Sequence, residues 1–440
     1  MAKRLSYTRR DHASSPDIHC RMMHEKFHTP APVPVNIYPG NNSLAAEIDT
    51  LSLYDHNTKH PCPTPSPTPV SSHFSHGTST FLTTTQPLSP SPAVPVAVIT
   101  LPLSAKIPRI YAATKIATRH KAVDPLEPSF NRAMAIRDRM SLFLEHASPL
   151  AVDVAKRAVA GAGIVDPARE IGLLVVVTST GFIAPGVDVA VLRGLGLSSS
   201  VGRVVISFMG CAAAMNGIRT GADYAIAHAQ DEIGGQRKGK KALVVCVELS
   251  SVNGVFKQTM NDVIISSLFG DGCAAVVVGA ADASAVQNGD LAPGSIVLRG
   301  SFSQLVDGTD DGIILGVNHD GITCDLSPKL PGYIKLAVGP AIELVLEGYG
   351  LRKKDIGLWA IHPGGPKIIE ESLASLGLSD EVASVSWEML SRFGNMLSVS
   401  LPFVLQKMAG DVVKNGGKTG VAFSFGPGIT VEGVVFDVVA

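Results

Sequence analysis

Val204-Val-Ile-Ser-Phe-Met-Gly-Cys-Ala-Ala-Ala-Met-Asn-Gly217 is the stretch of this chain that decides its fold class. It runs from an apolar strand through Gly210 into a series of small residues typical of a buried helix. Cys211 therefore stands at the start of a helix, where unpaired N–H groups and the positive end of the helix dipole favour a thiolate. A free cysteine is also a common small core residue, and this placement alone does not decide between the two interpretations.

Apolar runs on both sides of this stretch have the length and composition of buried strands. They are Leu173 to Thr178, Val204 to Phe208, Ala242 to Val247 and Ala274 to Gly279. A helix is predicted between the second and the third of them, over Ala212 to Gln230. The opening stretch thus belongs to a series of buried strands joined by helices.

The same order of elements recurs after residue 295. Strands are predicted at Ile296 to Arg299, Gly357 to Ile361 and Gly420 to Phe425, and helices at Tyr333 to Tyr349 and Met396 to Met408. This alternation is typical of an α/β fold in which helices cover buried sheets. We therefore predict two similar halves, an N-terminal half over 96–290 and a C-terminal half over 291–440.

The first 95 residues differ in composition from the rest of the chain. Fourteen of the 29 prolines lie there, in runs such as Pro61-Cys-Pro-Thr-Pro-Ser-Pro-Thr-Pro69. Such a segment has too little apolar periodicity to offset the entropy that ordering it would cost. We predict that 1–95 is a disordered tail and that Val96 to Thr100 is the first strand of the fold.

Composition and charge exclude several classes of function. Hydrophobic residues make up 45% of the chain and the net charge is -1, so a nucleic-acid partner is not expected. The apolar runs are too short for a membrane span, and Met1 to Arg10 is followed by no apolar signal segment. The six cysteines form no C-x-x-C pair, which fits a reducing compartment better than a disulfide scaffold or a zinc site. We expect a cytoplasmic protein.

Two further polar residues stand at the ends of predicted elements. His362 ends the strand in Trp359-Ala-Ile-His-Pro-Gly-Gly-Pro366, and the backbone of that turn favours a ring that projects into a cleft. Asn395 precedes a helical run, where asparagine is also a common N-cap. The glycine-rich turn Ser424-Phe-Gly-Pro-Gly-Ile-Thr430 is a candidate cavity wall. Taken singly, each of these features has an ordinary structural explanation.

Taken together, these motifs resemble those of the type III polyketide synthases, the chalcone-synthase-like enzymes of the thiolase superfamily. The resemblance rests on Cys211 within M-G-C-A-A, His362 within H-P-G-G-P, Asn395 within F-G-N-M and the F-G-P-G-I-T turn, in this order. Leu268-Phe-Gly-Asp-Gly-Cys-Ala-Ala275 and Thr178-Ser-Thr-Gly181 are similar to further segments of the family. The similarity extends over about residues 110–440.

The resemblance implies a homodimer with a five-layered αβαβα thiolase-like fold. It also implies that Cys211 is the nucleophile and that His362 and Asn395 are its partners. A His362 ring close to Cys211 would hold the thiol as an ion pair, ready to attack an acyl-CoA. Side-chain donors of His362 and Asn395 would then stabilise the enolate that forms as malonyl-CoA loses CO₂. CoA thioesters are the implied substrates, and no metal or organic cofactor is expected.

The resemblance further assigns a substrate cavity. Phe269 matches an aromatic residue that gates the cavity, while Asn253 stands in place of the usual threonine and Leu397 in place of the usual serine. Cys324 replaces the usual phenylalanine and would open space there. This favours a fatty acyl-CoA starter and alkylpyrone or alkylresorcinol and resorcylic-type products. The alternative is an aromatic starter, as in chalcone and stilbene synthases.

Three basic residues are candidates for contacts with CoA phosphates. Lys106 and Arg109 have the K-x-x-R spacing of the family's phosphate-binding helix, and Lys115 follows them. Pro108 stands between the first two, and a helix interior tolerates proline poorly. The region upstream of them is shorter than the family pattern, which points either to an altered entry channel or to a faulty gene model.

Two other functions are compatible with the sequence. One is a non-catalytic thiolase-fold protein whose proline-rich tail recruits partners, although the presence of Cys211, His362 and Asn395 argues against it. The other is an enzyme that makes a single condensation on a carrier protein. The number of malonyl units in the product separates this last function from an iterative synthase.

Overall fold

The computed structural model describes residues 35–37, 106–125, 127–233, 235–237, 239–254, 259–281, 291–319, 321–412 and 418–439. The described residues belong to one compact unit. Apart from 35–37, the segment predicted to be a disordered tail lies outside these ranges, as does the strand predicted at Val96 to Thr100. Within the described ranges, none of the helices has the length and apolarity that a bilayer crossing requires.

The described helices lie mainly on the two outer faces and in the middle of the molecule. They are α1 (Ile107–Ala113), α2 (Ile136–Gly161), α3 (Pro167–Glu170), α4 (Val187–Gly194), α5 (Ala213–Ala227), α6 (Met260–Leu268), α7 (Leu330–Gly348), α8 (Pro366–Leu376), α9 (Ser384–Phe393) and α10 (Ser400–Val412).

The described strands form one large sheet and two small ones. They are β1 (Val35–Ile37), β2 (Ile171–Thr178), β3 (Gly202–Ser207), β4 (Glu232–Ile233), β5 (Gln236–Arg237), β6 (Lys241–Glu248), β7 (Gly272–Ala280), β8 (Ile296–Leu305), β9 (Ile313–Asn318), β10 (Gly321–Leu326), β11 (Leu358–Ile361), β12 (Lys418–Gly426) and β13 (Thr430–Val438). The large sheet has the order β11-β12-β13-β8-β1-β7-β6-β2-β3, and β9–β10 and β4–β5 are separate hairpins.

The two halves of the large sheet repeat one pattern. In the N-terminal half β2 and β6 are parallel and β7 is antiparallel to β6. In the C-terminal half β11 and β12 are parallel and β13 is antiparallel to β12. The halves therefore share a strand arrangement, as the recurring order of elements in the sequence predicted.

The halves are joined by β1, which pairs antiparallel with both β7 and β8. This strand, Val35–Ile37, lies inside the segment 1–95 that the sequence predicts to be a disordered tail. Their Val-Asn-Ile sequence has the β-branched residues that favour a strand. The proline-rich composition around them concealed that signal.

Alternate residues of the buried strands contribute to different layers of the core. On β6, Val244 packs with residues of α5 and α10, whereas Val245 packs with residues of α2. On β12, Val421 and Phe423 pack with residues of α7 and α8. Each half of the large sheet therefore forms a layer of its own. Helices lie between the two halves and on both outer faces, so the layers are helix, sheet, helix, sheet and helix. This αβαβα arrangement confirms the predicted fold class.

Two helices begin differently from the prediction, and both differences lie at candidate catalytic residues. The helix predicted from Ala212 starts as a 3-10 turn over Gly210–Ala212 and continues as α5. The helix predicted from Met396 starts as a 3-10 turn over Leu397–Val399 and continues as α10. Cys211 and Asn395 are therefore placed at tight first turns.

Candidate active site

The turn that presents Cys211 is built from an unusual backbone. Phe208 and Gly210 both have positive φ, +59° and +57°, a region that glycine enters without strain. A Cβ on Gly210 would lie 3.2 Å from Pro427 Cδ, so the glycine-rich turn packs closely against it. The Gly210 N–H donates to Ser179 Oγ at 3.0 Å. This turn therefore packs against the backbone that carries Cys211. Residues 424–430 are not among the described residues that line the cavity of about 300 Å³ beside it.

Two neighbouring residues of strand β12 bind the backbones of His362 and Cys211. The His362 N–H donates to Phe423 O at 3.0 Å, and the next residue, Ser424, donates from its hydroxyl to Cys211 O at 2.8 Å. His362 is 2% exposed. Within the described part of the chain neither of its ring nitrogens has a hydrogen-bond partner. Because buried polar groups are normally paired, these nitrogens are available to a substrate.

Asn395 links Cys211 to the turn that follows His362. Its Nδ2 donates to Gly364 O at 3.1 Å and lies 3.8 Å from Cys211 Sγ. Its Oδ1 accepts from the Leu397 N–H at 2.9 Å, which caps the 3-10 turn. The same side chain therefore caps the 3-10 turn and lies next to Cys211.

Burial acts on Cys211 and His362 in the direction of their neutral forms. Desolvation raises the pKa of the Cys211 thiol, nearby Cys324 and Glu248 act in the same direction, and the Asn395 hydrogen bond opposes them. Desolvation also lowers the pKa of His362 to about 3. The expected thiolate–imidazolium pair therefore requires direct contact between the two groups to offset both desolvation costs.

A buried carboxyl group, Glu248, lies near Cys211 at the end of β6. Its Oε2 accepts from the Ser179 N–H and from Thr180 Oγ1, both at 2.9 Å, and its Oε1 accepts from Ser398 Oγ at 2.6 Å. Burial raises its pKa to about 7 even though these hydrogen bonds lower it. Glu248 therefore titrates close to neutral pH and changes the charge near Cys211.

The four residues predicted to line a substrate cavity do line one cavity of about 300 Å³. They are Phe269, Asn253, Cys324 and Leu397. Phe269 forms a backbone bridge with Asn395, so the cavity begins beside the candidate catalytic residues. Asn253 donates from Nδ2 to Thr180 O at 2.8 Å and thus ties two segments of the wall together.

The predicted CoA contacts are not found in the cavity wall. Lys106 precedes α1, Arg109 lies within it, and Pro108 occupies its first turn, where a proline is tolerated because that N–H has no partner in the helix. Pro108 is therefore compatible with this helix, because it does not lie in the helix interior. Lys115 makes an ion pair with Glu370 at 3.3 Å and lies 4.1 Å from the centre of the Trp387 ring.

The sequence did not single out several residues that the structure places in the cavity wall. Tyr111 of α1, Lys121 and Asn261 of α6 all line the cavity, and Glu248 lies behind it. The signal for Glu248 was its position at the end of an apolar run, because the other four residues before it, Val244 to Val247, are buried strand residues. No group of three or more potential metal ligands occurs among the described residues.

Comparisons with known proteins agree with this geometry. Family profiles described as chalcone and stilbene synthases match residues 102–282 as the N-terminal domain and 297–440 as the C-terminal domain. The chain is 58% identical, over 76% of its own length and 82% of the relative, to the alpha-pyrone synthesis polyketide synthase-like Pks18 of Mycobacterium tuberculosis. It is 30% identical, over 74% of its length and 84% of the relative, to the 3,5-dihydroxyphenylacetyl-CoA synthase of Amycolatopsis balhimycina.

A solved structure leads to the same assignment. The crystal structure of PKS-I from the brown alga Ectocarpus siliculosus matches with a TM-score of 0.70 and 38% identity, over 77% of this chain and 90% of that chain. The layered fold, the site motifs and the family profiles are therefore consistent with one another. The chain belongs to the chalcone and stilbene synthase family and is a type III polyketide synthase, an acyltransferase.

Proposed function

We propose that Cys211 carries the starter acyl group and the growing chain, and that His362 and Asn395 donate hydrogen bonds to malonyl-CoA. One observation carries the proposal: the Asn395 amide lies 3.8 Å from Cys211 Sγ while it also donates to Gly364 O. The His362 ring is buried two residues before Gly364, and its nitrogens have no partner among the described residues. The three residues therefore meet around Gly364, whose neighbours are the His362 ring and the Asn395 amide.

Acyl loading at Cys211 is a transthioesterification. The sulfur attacks the acyl carbonyl carbon, the carbon–sulfur bond to CoA breaks, and the thiol proton passes by way of His362 to the departing CoA thiolate. Since burial favours a neutral thiol and a neutral imidazole, the proton moves during the attack unless contact with His362 has already moved it.

Chain extension begins with the loss of CO₂ from malonyl-CoA. The bond between the carboxylate and the α-carbon breaks, and its electron pair forms the enolate of the thioester. The enolate oxygen accepts hydrogen bonds from His362 Nε2–H and Asn395 Nδ2–H. The α-carbon then attacks the acyl carbonyl carbon on Cys211, and the Cys211 thiolate departs. The neutral imidazole favoured by burial supports this step, because it has one N–H to donate.

We propose that the products are alkyl α-pyrones made from fatty acyl starters. The relative that is 58% identical is described as an alpha-pyrone synthesis enzyme. In this chain Cys324 lines the cavity, which leaves the space that a phenylalanine ring would fill. The cavity volume of about 300 Å³ lies at the lower end of the range of about 300–1,000 Å³ for ligand pockets. Starter length is therefore the property to measure.

The test is a panel of starters given to the full chain together with malonyl-CoA, with products identified by mass. We expect extension of fatty acyl-CoAs, from hexanoyl-CoA to stearoyl-CoA, and no product from Cys211→Ala. Extension of 4-coumaroyl-CoA alone would refute the fatty starter. Absence of an acyl adduct on Cys211 in intact-mass spectra would refute its role as nucleophile and favour a non-catalytic protein.

We also propose that Lys106 and Arg109 bind CoA phosphates at the cavity mouth. They flank the start of α1, and Tyr111 of the same helix lines the cavity. Lys115 is the weaker candidate because it already pairs with Glu370. We expect Lys106→Gln and Arg109→Gln to raise KM for malonyl-CoA and to leave KM for malonyl-N-acetylcysteamine, which has no phosphates, unchanged. An equal change for both substrates would refute these contacts.

We further propose a homodimer that forms through strand β3. This strand is at the edge of the large sheet, and an unpaired edge is a template for a second chain. Val205 on β3 and Phe182 beside it are exposed, which supports an apolar contact between copies. Light scattering should show a dimer for the full chain and a monomer for Val205→Lys; an unchanged dimer would exclude this edge.

Finally, we propose a cytoplasmic location for the enzyme. The described cysteines Cys211, Cys246, Cys273 and Cys324 are all free thiols, as a reducing compartment maintains them. A nucleophilic thiol also requires such conditions to remain reduced. Fractionation of the native cells with an antibody to this chain tests the location, and recovery with membranes would contradict it.

A further inference from the structure

The β9–β10 hairpin forms part of the cavity wall but is not part of the large sheet. Its two strands pair with each other, from Gly321 opposite Asn318 to Leu326 opposite Ile313. Residues of both strands, including Cys324, line the cavity. Because one edge of β10 pairs with β9, the backbone groups on its other edge require partners from elsewhere.

Asn261 supplies two of those partners with one side chain. Its Nδ2 donates to Cys324 O at 2.8 Å, and its Oδ1 accepts from the Leu326 N–H at 3.4 Å. The same Nδ2 lies 3.2 Å from Asp325 Oδ1. A side-chain amide that accepts from one residue and donates to a residue two positions away reproduces the pairing of a neighbouring strand. Asn261 therefore takes the place of a third strand beside β10.

The position of Asn261 is itself fixed by the start of α6. Thr259 Oγ1 accepts from the Asp262 N–H at 3.1 Å, and Asp262 Oδ2 accepts from the Thr259 N–H at 3.0 Å. These reciprocal bonds form a capping box, which holds the first turn of the helix in place. The amide of Asn261 is thus presented to β10 from a well-defined helix terminus.

Two further contacts hold the other end of the hairpin. Asn253 Oδ1 accepts from the Ile322 N–H at 3.4 Å. At the turn, the side chain of Arg139 lies against Gly321, with its Cδ 3.3 Å from where a Cβ would be. Arg139 is fully buried and donates to Val252 O at 2.7 Å. The outer edge of β10 is therefore held along its length, and Asn261 is the contact nearest Cys324.

We propose that Asn261 is a positioning residue that sets the width of the cavity, and through it the preferred starter length, by holding β10 against α6. This inference rests on the proposed function, because it takes the cavity as the acyl site. Removal of the amide frees the Cys324 carbonyl and the Leu326 N–H to bind water. The wall that carries Cys324 then moves outward, and longer starters gain room.

The test compares wild type with Asn261→Ala in steady-state assays with hexanoyl-CoA and dodecanoyl-CoA as starters. We expect the ratio of kcat/KM for dodecanoyl-CoA to that for hexanoyl-CoA to rise about tenfold, which corresponds to about 1.4 kcal/mol. The change should be carried mainly by KM for the starter. Asn131→Ala is the matched control, because Asn131 accepts from the Ala133 N–H in an exposed turn away from the cavity, and it should leave the ratio unchanged.

A second variant covers the case in which Asn261→Ala does not fold. Asn261→Asp keeps the acceptor for Leu326 but places a carboxylate oxygen against Cys324 O and Asp325 Oδ1, and because these groups repel one another we expect a rise in the same ratio at least as large. An unchanged ratio in the folded variant, including a uniform loss of rate with all starters, overturns the inference and leaves the proposed function intact. Failure of the wild-type enzyme to extend any acyl starter overturns the proposed function itself.

Discussion

Glu248→Gln tests the electrostatics of the site through protein stability. The carboxyl group is fully buried, and burial raises its pKa from the ordinary 4.5 to about 7. This gap corresponds to about 3 kcal/mol, at about 1.36 kcal/mol for each pH unit. Glutamine has nearly the same shape, can accept from the Ser179 N–H, and does not ionise. The variant therefore removes the titration and keeps most of the packing.

The direction of the effect follows from the protons bound by each state. Between pH 4.5 and about 7 the folded protein holds a proton on Glu248 that the unfolded chain has released. The contribution of Glu248 to the free energy of unfolding is thus greatest below pH 4.5 and is lost as the pH rises to about 7. We expect the free energy of unfolding of Glu248→Gln to rise relative to that of wild type by up to about 3 kcal/mol as the pH goes from 4.5 to 8.

The measurement is urea unfolding of both proteins at matched pH values, followed by fluorescence of buried Trp359. Only the pH dependence of the difference in free energy of unfolding between the two proteins tests the reasoning, because any loss of stability caused by the amide group itself does not depend on pH. Ser398→Ala removes a hydrogen bond that lowers the Glu248 pKa and should move the transition to higher pH. The reasoning is refuted if the free energy of unfolding of Glu248→Gln minus that of wild type stays constant with pH or decreases as the pH rises.

Three further outcomes are expected. Because Glu248 raises the pKa of Cys211, the pH profile of iodoacetamide alkylation at Cys211 should shift to lower pH in Glu248→Gln. In His362→Gln the profile should shift to higher pH if contact with His362 holds the thiolate. An unshifted profile in both variants counts against the charge coupling. Asn395→Ala should lower malonyl-CoA decarboxylation about 10²–10³-fold while intact-mass spectra still show acyl-Cys211, and loss of both would indicate a misfolded site. Arg139→Met leaves the carbonyl groups that accept from the guanidinium group without this donor. It should reduce the free energy of unfolding in urea titrations by about 1–3 kcal/mol, and an unchanged free energy of unfolding would contradict the role of the guanidinium group.

The fold could be predicted from the sequence largely because buried strands carry a strong signal. The run Ala242 to Val247 is buried on both faces, and its strand β6 lies in the middle of one half of the sheet. The three-residue strand β1 could not be predicted, because its partners lie more than 200 residues away in β7 and β8. Short strands of this kind depend on tertiary pairing and have little local signal.

The candidate site was predicted where its residues stand in distinctive motifs. Cys211 and Asn395 are 184 residues apart in sequence, yet the structure brings their side chains to 3.8 Å. The position of Glu248 after an apolar run indicates the end of a buried strand, but it does not predict a buried carboxyl group, since a glutamate that ends a strand is usually solvated. Its environment depends on Ser398, which lies 150 residues further along the chain. Asn261 was missed for the same reason, because its partners lie on β10.

Asn395 caps Leu397 and, as we propose, donates to the substrate, and the two tasks together restrict the side chain at that position. Glutamine offers the same amide, but its extra methylene group prevents it from capping Leu397 and reaching Cys211 at once. Aspartate keeps the acceptor for the Leu397 N–H and loses the donor that a developing enolate needs. The rotamer of Asn395 is selected during folding, so no substrate binding energy is consumed in aligning it. Local chain geometry and the proposed chemistry thus make their demands on one side chain, and asparagine meets both.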